Sequence, residues 1–219
     1  MATVYLLQEG TNVCAEAIAG LGLDLAALDG FNSVDALRGR EGRAAARYFP
    51  ALGKAIVNPA FSFGGRRLRP PKDPVNSLLS FGYTLLFNYV LSTIVAEGLS
   101  PYFGCFHYAE DSRTKPFLVF DLMGEFRSPV VDTFVLRAVN NSAVKPEDFD
   151  FVESTGGIYL GRSSGKRFLN WFEDRINESV SHREVQSPVS YRRVIELQVR
   201  RYKCCLLDGK DYELFLRPA

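Results

Sequence analysis

The stretch that most constrains this chain is Asp73-Pro74 and the apolar residues behind it: Val75, Leu78, Leu79, Gly82, Leu85, Leu86, Tyr89 and Val90. Asp73 is suited to cap a helix. Pro74 falls at the first helical position, where its missing N–H costs nothing. The apolar residues follow at helical spacing, and Gly98 with Pro101 beyond it marks the stop. This helix is too apolar for a surface position. It belongs at the centre of the core, and the rest of the chain must pack around it.

The flanking segments predict a mainly α protein. Ser33 is a candidate N-cap for a helix through Leu37, Ala44, Ala45 and Tyr48, ending near Pro50. Residues 55–72 carry Asn58-Pro59, Gly64-Gly65 and Pro70-Pro71, which mark turns. Arg66, Arg67, Arg69 and Lys72 make this a basic loop. Phe117–Phe120 is a short apolar stretch. Ser128-Pro129 repeats the cap-plus-proline signal ahead of a helix that ends at Asn140-Asn141. Residues 156–160 read as a turn and a short strand. Helices then start at Ser163 and near Val189, the last stopping at Asp208-Gly209. Residues 1–32 hold no Lys or Arg, and within them Met1–Gln8 reads as a short strand.

With 219 residues, 47% of them apolar, the chain can build one large core without staples. Cys14, Cys105, Cys204 and Cys205 form no C-x-x-C pair, which excludes a zinc ribbon and favours reduced thiols in a cytoplasmic protein. No uninterrupted apolar run approaches the roughly 18 residues that span a bilayer, so no membrane partner is expected. The net charge of +1 does not announce a nucleic-acid partner. A DNA binder with this balance has to segregate its charges.

Histidine is scarce, with only His107 and His182. Acids follow His107 at Glu110, Asp111, Asp121 and Glu125. Asp121 and Glu125 are four apart, so on a helix both project from one side. One imidazole with two or three carboxylates suits Mg2+ or Mn2+ better than zinc. The plain alternative is that these residues are caps and hydrogen-bond partners, and spacing alone leaves both readings open. Three basic groups invite the same two readings. Arg66/Arg67/Arg69/Lys72, Arg162/Lys166/Arg167 and Arg192/Arg193/Arg200/Arg201/Lys203 are either phosphate-binding patches or solvated faces. No Walker loop, G-x-S-x-G or G-x-G-x-x-G is present.

Four ordered motifs go further. Leu37-Arg38-Gly39-Arg40-Glu41-Gly42 with Ala44-Ala45-Ala46-Arg47-Tyr48-Phe49 resembles the first motif of the CRISPR-associated integrase family (Cas-one). Residues 69–83, from Arg69-Pro70-Pro71-Lys72-Asp73-Pro74 to Phe81-Gly82-Tyr83, resemble its central signature. Gly104-Cys105-Phe106-His107 resembles its histidine motif. Residues 120–127 (Phe120-Asp121-Leu122-Met123-Gly124-Glu125-Phe126-Arg127), then Val130-Val131-Asp132, resemble its acidic motif. Tyr191-Arg192-Arg193 and the helix after it are similar to its C-terminal region.

The resemblance implies a single helical catalytic domain over residues 35–219, with a short basic loop or hairpin. Residues 1–34 would be a linker or a remnant of the family's N-terminal β domain. It implies a metal-dependent DNA endonuclease and integrase of CRISPR adaptation, the antiviral system's spacer-acquisition step. There a DNA 3′-hydroxyl attacks a phosphodiester of the repeat with the help of Mg2+ or Mn2+. Glu41 matches the family glutamate and His107 the family histidine. Glu125 or Asp121 is expected to complete the catalytic and metal-binding set. Arg66, Arg67, Arg69, Lys72, Arg162, Lys166, Arg193 and Arg200 are expected to hold DNA phosphates. The implied partners are protospacer and repeat DNA, the small protein Cas-two and, in the full-length form, a second copy of the chain.

Two departures stand out. The family's third ligand lies three residues after the position of Asp121, and here that residue is Gly124. Residues 1–34 are too short for the β domain, which implies a truncated or split product. The alternative function is a weakened or inactive member that binds DNA or a partner without chemistry.

Overall fold

The computed structural model describes residues 14–30, 33–67, 69–108 and 115–217. The strand expected at Met1–Gln8 and the acids Glu110 and Asp111 lie outside the described residues. Helix α1 (Ala15–Ala26) packs on α2 (Val34–Lys54). Asp24 of α1 is buried between Arg40 and Arg47 of α2, at 2.7 and 3.1 Å, and the Cys14 thiol lies 3.6 Å from the Ala51 carbonyl. Ser33 caps α2 through the Ala36 N–H, as its position predicted. The helix runs past Pro50 to Lys54, further than expected. Ala51 and Leu52 beyond the proline are buried, so packing carries the helix through a residue that propensity alone would stop at.

Helix α3 (Pro74–Ala96) is the predicted central helix, capped by Asp73 on the Asn76 N–H. It is long and apolar enough to cross a membrane by length and composition, which corrects the sequence reading of its apolar run. Here Leu78, Leu79, Leu86, Val90 and Ile94 are fully enclosed by protein, so burial in the core accounts for its composition. Gly98, in the left-handed region at φ 75°, turns the chain after it.

Ser128-Pro129 does not start a new helix. Helix α4 (Phe117–Phe126) passes through wide π-helical turns at Arg127–Asp132 into α5 (Thr133–Asn140), one continuous rod. The wide turns accommodate the N–H that Pro129 lacks, and Thr133 Oγ1 donates to the Ser128 carbonyl at 3.0 Å. Strands β1 (Phe149–Val152) and β2 (Gly157–Leu160) form an antiparallel hairpin. Helix α6 (Arg162–Asn177) follows. A second hairpin, β3 (Ser179–His182) with β4 (Val185–Ser190), was not foreseen. Its strands are short and one contains Pro188, which hides the period-two signal. Helix α7 (Tyr191–Asp208) ends on Gly209 in the left-handed region, as expected. Phe168, Ile176, Val194 and Ile195 of α6 and α7 close the core. The mainly helical class is therefore as the sequence implied.

Candidate nucleic-acid and metal site

The histidine motif is a tight loop laid against α4. A Cβ at Gly104 would press on the His107 carbonyl and on the Asp121 carboxylate, so only glycine fits there. Asp121 gathers the loop. Its Oδ2 accepts the N–H of Cys105 at 2.7 Å and of Phe106 at 3.0 Å. Its Oδ1 accepts the N–H of His107 at 2.8 Å and faces the ring Nδ1 at 2.7 Å. All four lone-pair sites of the carboxylate are engaged. Asp121 is therefore not the metal donor that was expected. It is the group that orients His107, meeting both its backbone N–H and its ring Nδ1.

The loop is also tied to α2. Arg38 donates through Nε and Nη2 to the Phe106 carbonyl, at 2.9 and 2.7 Å, and lies 4.3 Å from the Tyr108 ring centre. Glu41 is one turn further along the same helix, exposed and without a hydrogen bond or ion pair among the described residues. It lines a groove of about 450 Å³ together with Phe106, Gly124, Arg127 and Asp132. Gly124 faces this groove across open space, because a Cβ built on it meets nothing within 4 Å.

Glu125 is the second correction. It lies one residue on, about 100° around the helix, and turns into the protein at 7% exposure. Its oxygens accept the Tyr212 hydroxyl at 2.5 Å, the Phe215 N–H at 2.6 Å and the Gln198 amide at 2.9 Å. Burial pushes its carboxyl above the usual range, against the three hydrogen bonds. Glu125 anchors the C-terminal segment and cannot ligate in the groove. Among the described residues, no three His, Cys, Asp or Glu side chains converge as a metal cage. Glu41, an exposed carboxylate, and His107, whose ring Nδ1 faces the Asp121 carboxylate, are each of a type that suits a hard divalent ion.

The floor of the groove holds a cluster the sequence did not single out. Asp132, 2% exposed, accepts the Tyr83 hydroxyl at 2.5 Å and the Tyr48 hydroxyl at 2.7 Å. Burial lifts its carboxyl to about 6, opposed by the two hydroxyls and by Arg127 and Arg66. Tyr48 lies two turns beyond Glu41 on α2, so Asp132 ties the glutamate's helix to α3 and α5.

From this floor the groove continues past Tyr83 and Arg127 to Arg66 and Arg69 in a wider cleft of about 1260 Å³. Arg69 is shared with a further cavity lined by Arg162, Gly165 and Tyr159. A sequence model of the family described as CRISPR associated protein Cas1 matches residues 3–174. The chain belongs to the Cas1 family.

It is 40% identical over 195 residues to CRISPR-associated endonuclease Cas1 1 of Thermus thermophilus, over 87% of this chain and 58% of that protein. It therefore spans less than two thirds of that relative's length. A solved Cas1 protein from Thermotoga maritima matches it with a TM-score of 0.78 at 25% identity, over 96% of this chain and 66% of that one. A casposase bound to integration product matches with a TM-score of 0.80, also at 25% identity, over 97% and 60%.

The basic residues of this Cas1 domain sort into two kinds. Arg67, Arg69, Arg162 and Lys166 are exposed, and their side chains have no acidic partner among the described residues. Arg66 is committed to the fold, donating to Asn76 Oδ1 at 2.8 Å and Ser80 at 3.0 Å. Lys72 pins the loop to the first hairpin through the Gly156 carbonyl at 2.7 Å. Arg193 and Arg200, expected on a DNA face, are each paired with an acid: Arg193 with Glu196 at 2.7 Å and Arg200 with Glu97 at 2.5 Å. Arg192 and Arg201 are paired as well. The charge of α7 is largely neutralised within the protein, which removes it as an open phosphate surface.

Proposed function

We propose that this chain is the helical DNA-handling domain of a CRISPR-adaptation endonuclease and integrase, with Glu41 and His107 as its divalent-cation donors. The observation that carries this reading is the continuity of one groove, from Glu41 and Gly124 over Arg127 to the unpaired Arg69 and Arg162. Such a groove suits a phosphate backbone bound without sequence reading. Asp121 fixes the His107 ring, and Arg38 holds the same loop against the helix that carries Glu41. A bound Mg2+ or Mn2+ supplies Lewis-acid polarisation of a phosphate oxygen at this point. The proposal extends to protospacer and repeat DNA as substrates, to Cas-two and a second copy of the chain as partners, and to action in the cytoplasm.

The test is cleavage of branched DNA by the purified chain with Mn2+. Cleavage that needs metal and disappears in Glu41→Ala and His107→Ala, both still folded, supports the reading. Cleavage that persists in either variant overturns it. Gly124 favours a second reading, a DNA-binding domain without chemistry. That reading expects no cleavage, and salt-dependent binding that survives both substitutions.

A further inference from the structure

The side cavity of about 710 Å³ that opens off the wider cleft at Arg69, Ser80 and Thr84 has a makeup of its own. The first turn of α6 forms one wall, with Gly161, Arg162 and Gly165 on the lining. That helix has 16 residues, and its N-cap, Gly161, offers no side-chain acceptor, so its first N–H groups are left to meet an anion. Ser77 of α3 also lines the cavity. It is 5% exposed, and its hydroxyl has no hydrogen-bond partner among the described residues. Arg69 and Arg162 add two guanidinium groups, and among the described residues no Asp or Glu is on the lining. Of the acids beside the start of α6, Asp148 is met by Ser164, Arg167 and the Lys145 N–H, and Asp150 approaches Gly161 from off the lining. Two aromatic rings complete the walls. Phe81 is held by stacking on Phe168 at 5.2 Å. Tyr159 belongs to a hairpin fastened to the loop of residues 70–72, where the Ile158 N–H donates to the Pro71 carbonyl at 2.9 Å.

We propose that this cavity binds a phosphate monoester carried by a nucleoside: a free nucleoside monophosphate or the phosphorylated end of a strand. A monoester carries about two negative charges at neutral pH, whereas each backbone diester carries one. Two guanidinium groups and a helix N-terminus match the dianion. The Ser77 hydroxyl donates to one of its oxygens, and Phe81 and Tyr159 give the base faces to stack on. The volume is that of a small-ligand pocket. Glu41 and His107 take no part, so the proposal goes beyond the functional reading above and does not depend on it.

The experiment is calorimetric titration of the purified chain, with chelator present throughout, by adenosine 5′-monophosphate, adenosine and inorganic phosphate. Fluorescence anisotropy then compares one short single strand carrying a 5′-phosphate, a 3′-phosphate or hydroxyl ends. The expected result is one site for the monophosphate, at least about 10-fold tighter than for adenosine or inorganic phosphate. Gly165→Glu brings a carboxylate into open space on the lining and should abolish this binding, whereas Gly165→Ala should match the parent. Ser77→Ala should weaken it about 3- to 10-fold. A preference of about 10-fold or more for a phosphorylated end assigns the site to a strand terminus. Equal binding of the three strands, with the monophosphate still bound, assigns it to a free nucleotide. A monophosphate that binds no tighter than adenosine or inorganic phosphate overturns the proposal, as does binding that survives in a folded Gly165→Glu. Either failure leaves the nuclease reading standing, since that is measured with Mn2+ on branched DNA.

Discussion

Asp121 and Glu125 sit one turn apart on α4, and both are fully engaged by the protein, but in different regions. Asp121 faces the loop of residues 105–107 and collects three backbone N–H groups and an imidazole from it. Glu125 faces the core and collects a hydroxyl, an amide and a backbone N–H from α7 and the C-terminal segment. The first fixes the His107 ring. The second holds the chain end in place. Between them the helix presents Gly124 to the groove, a position that carries no side chain. Spacing of i, i+4 says that two residues share a side of a helix. It does not say what each will meet there.

The largest effect expected from breaking this contrast is on stability. Glu125→Ala takes the acceptor from the buried Phe215 N–H and the part-buried Tyr212 hydroxyl, while the Gln198 amide keeps the Glu213 carbonyl and the Tyr212 oxygen, and should cost about 3 kcal/mol, measured by urea denaturation. A cost under about 0.5 kcal/mol would mean the C-terminal segment does not depend on it.

Asp132 extends the contrast to a third acid, one held by hydroxyls and lifted by burial. Its folded value of about 6 lies above its ordinary 3.8, so the folded state holds the extra proton between these values. Stability then falls as pH rises from about 4 through about 6, by about 3 kcal/mol for this group. Asp132→Asn should remove that part of the slope. Identical slopes in denaturation series at pH 4, 5, 6 and 7 would refute the assignment.

Asp121→Asn should act mainly on the site. With the ring no longer held by a carboxylate, Mn2+ affinity in the presence of DNA should drop about 10- to 100-fold. The stability loss should stay below that of Glu125→Ala. If both substitutions lower stability alike and leave Mn2+ binding unchanged, the division of labour along α4 is wrong.

The smallest effects separate the two basic regions. Arg69→Ala and Arg162→Ala should each weaken DNA binding and reduce the slope of log K against log salt by about 1. Arg193→Ala and Arg200→Ala should leave that slope unchanged, since their charges are already met by Glu196 and Glu97.

Much of this was legible in the sequence. The Asp73 cap, Pro74 and the apolar spacing behind them defined α3, and Gly209 marked the end of α7. The ordered motifs pointed to Glu41, His107 and the gap at Gly124. Other features depended on tertiary context. Pro50 did not end its helix and Ser128-Pro129 did not begin a new one, because buried neighbours in one case and widened turns in the other accommodated the prolines. The partners of Asp121, Glu125 and Asp132 come from segments 14 to 90 residues away, which no local pattern encodes. The pairing of Arg192 and Arg200 has the same origin, since Glu173 and Glu97 belong to other parts of the chain, whereas Arg193 meets Glu196 within α7 itself.

The wide turns at Arg127–Asp132 also set the phase of a single rod. Upstream of them the rod presents Asp121 and Gly124, and at their end it delivers Asp132 to the groove floor beneath Tyr48 and Tyr83. Each residue of an α-helix advances the angle by about 100°. Deleting one residue from the wide turns would swing Asp132 and all of α5 out of register with the wall upstream. This short segment should therefore tolerate changes of side chain far better than any change of length.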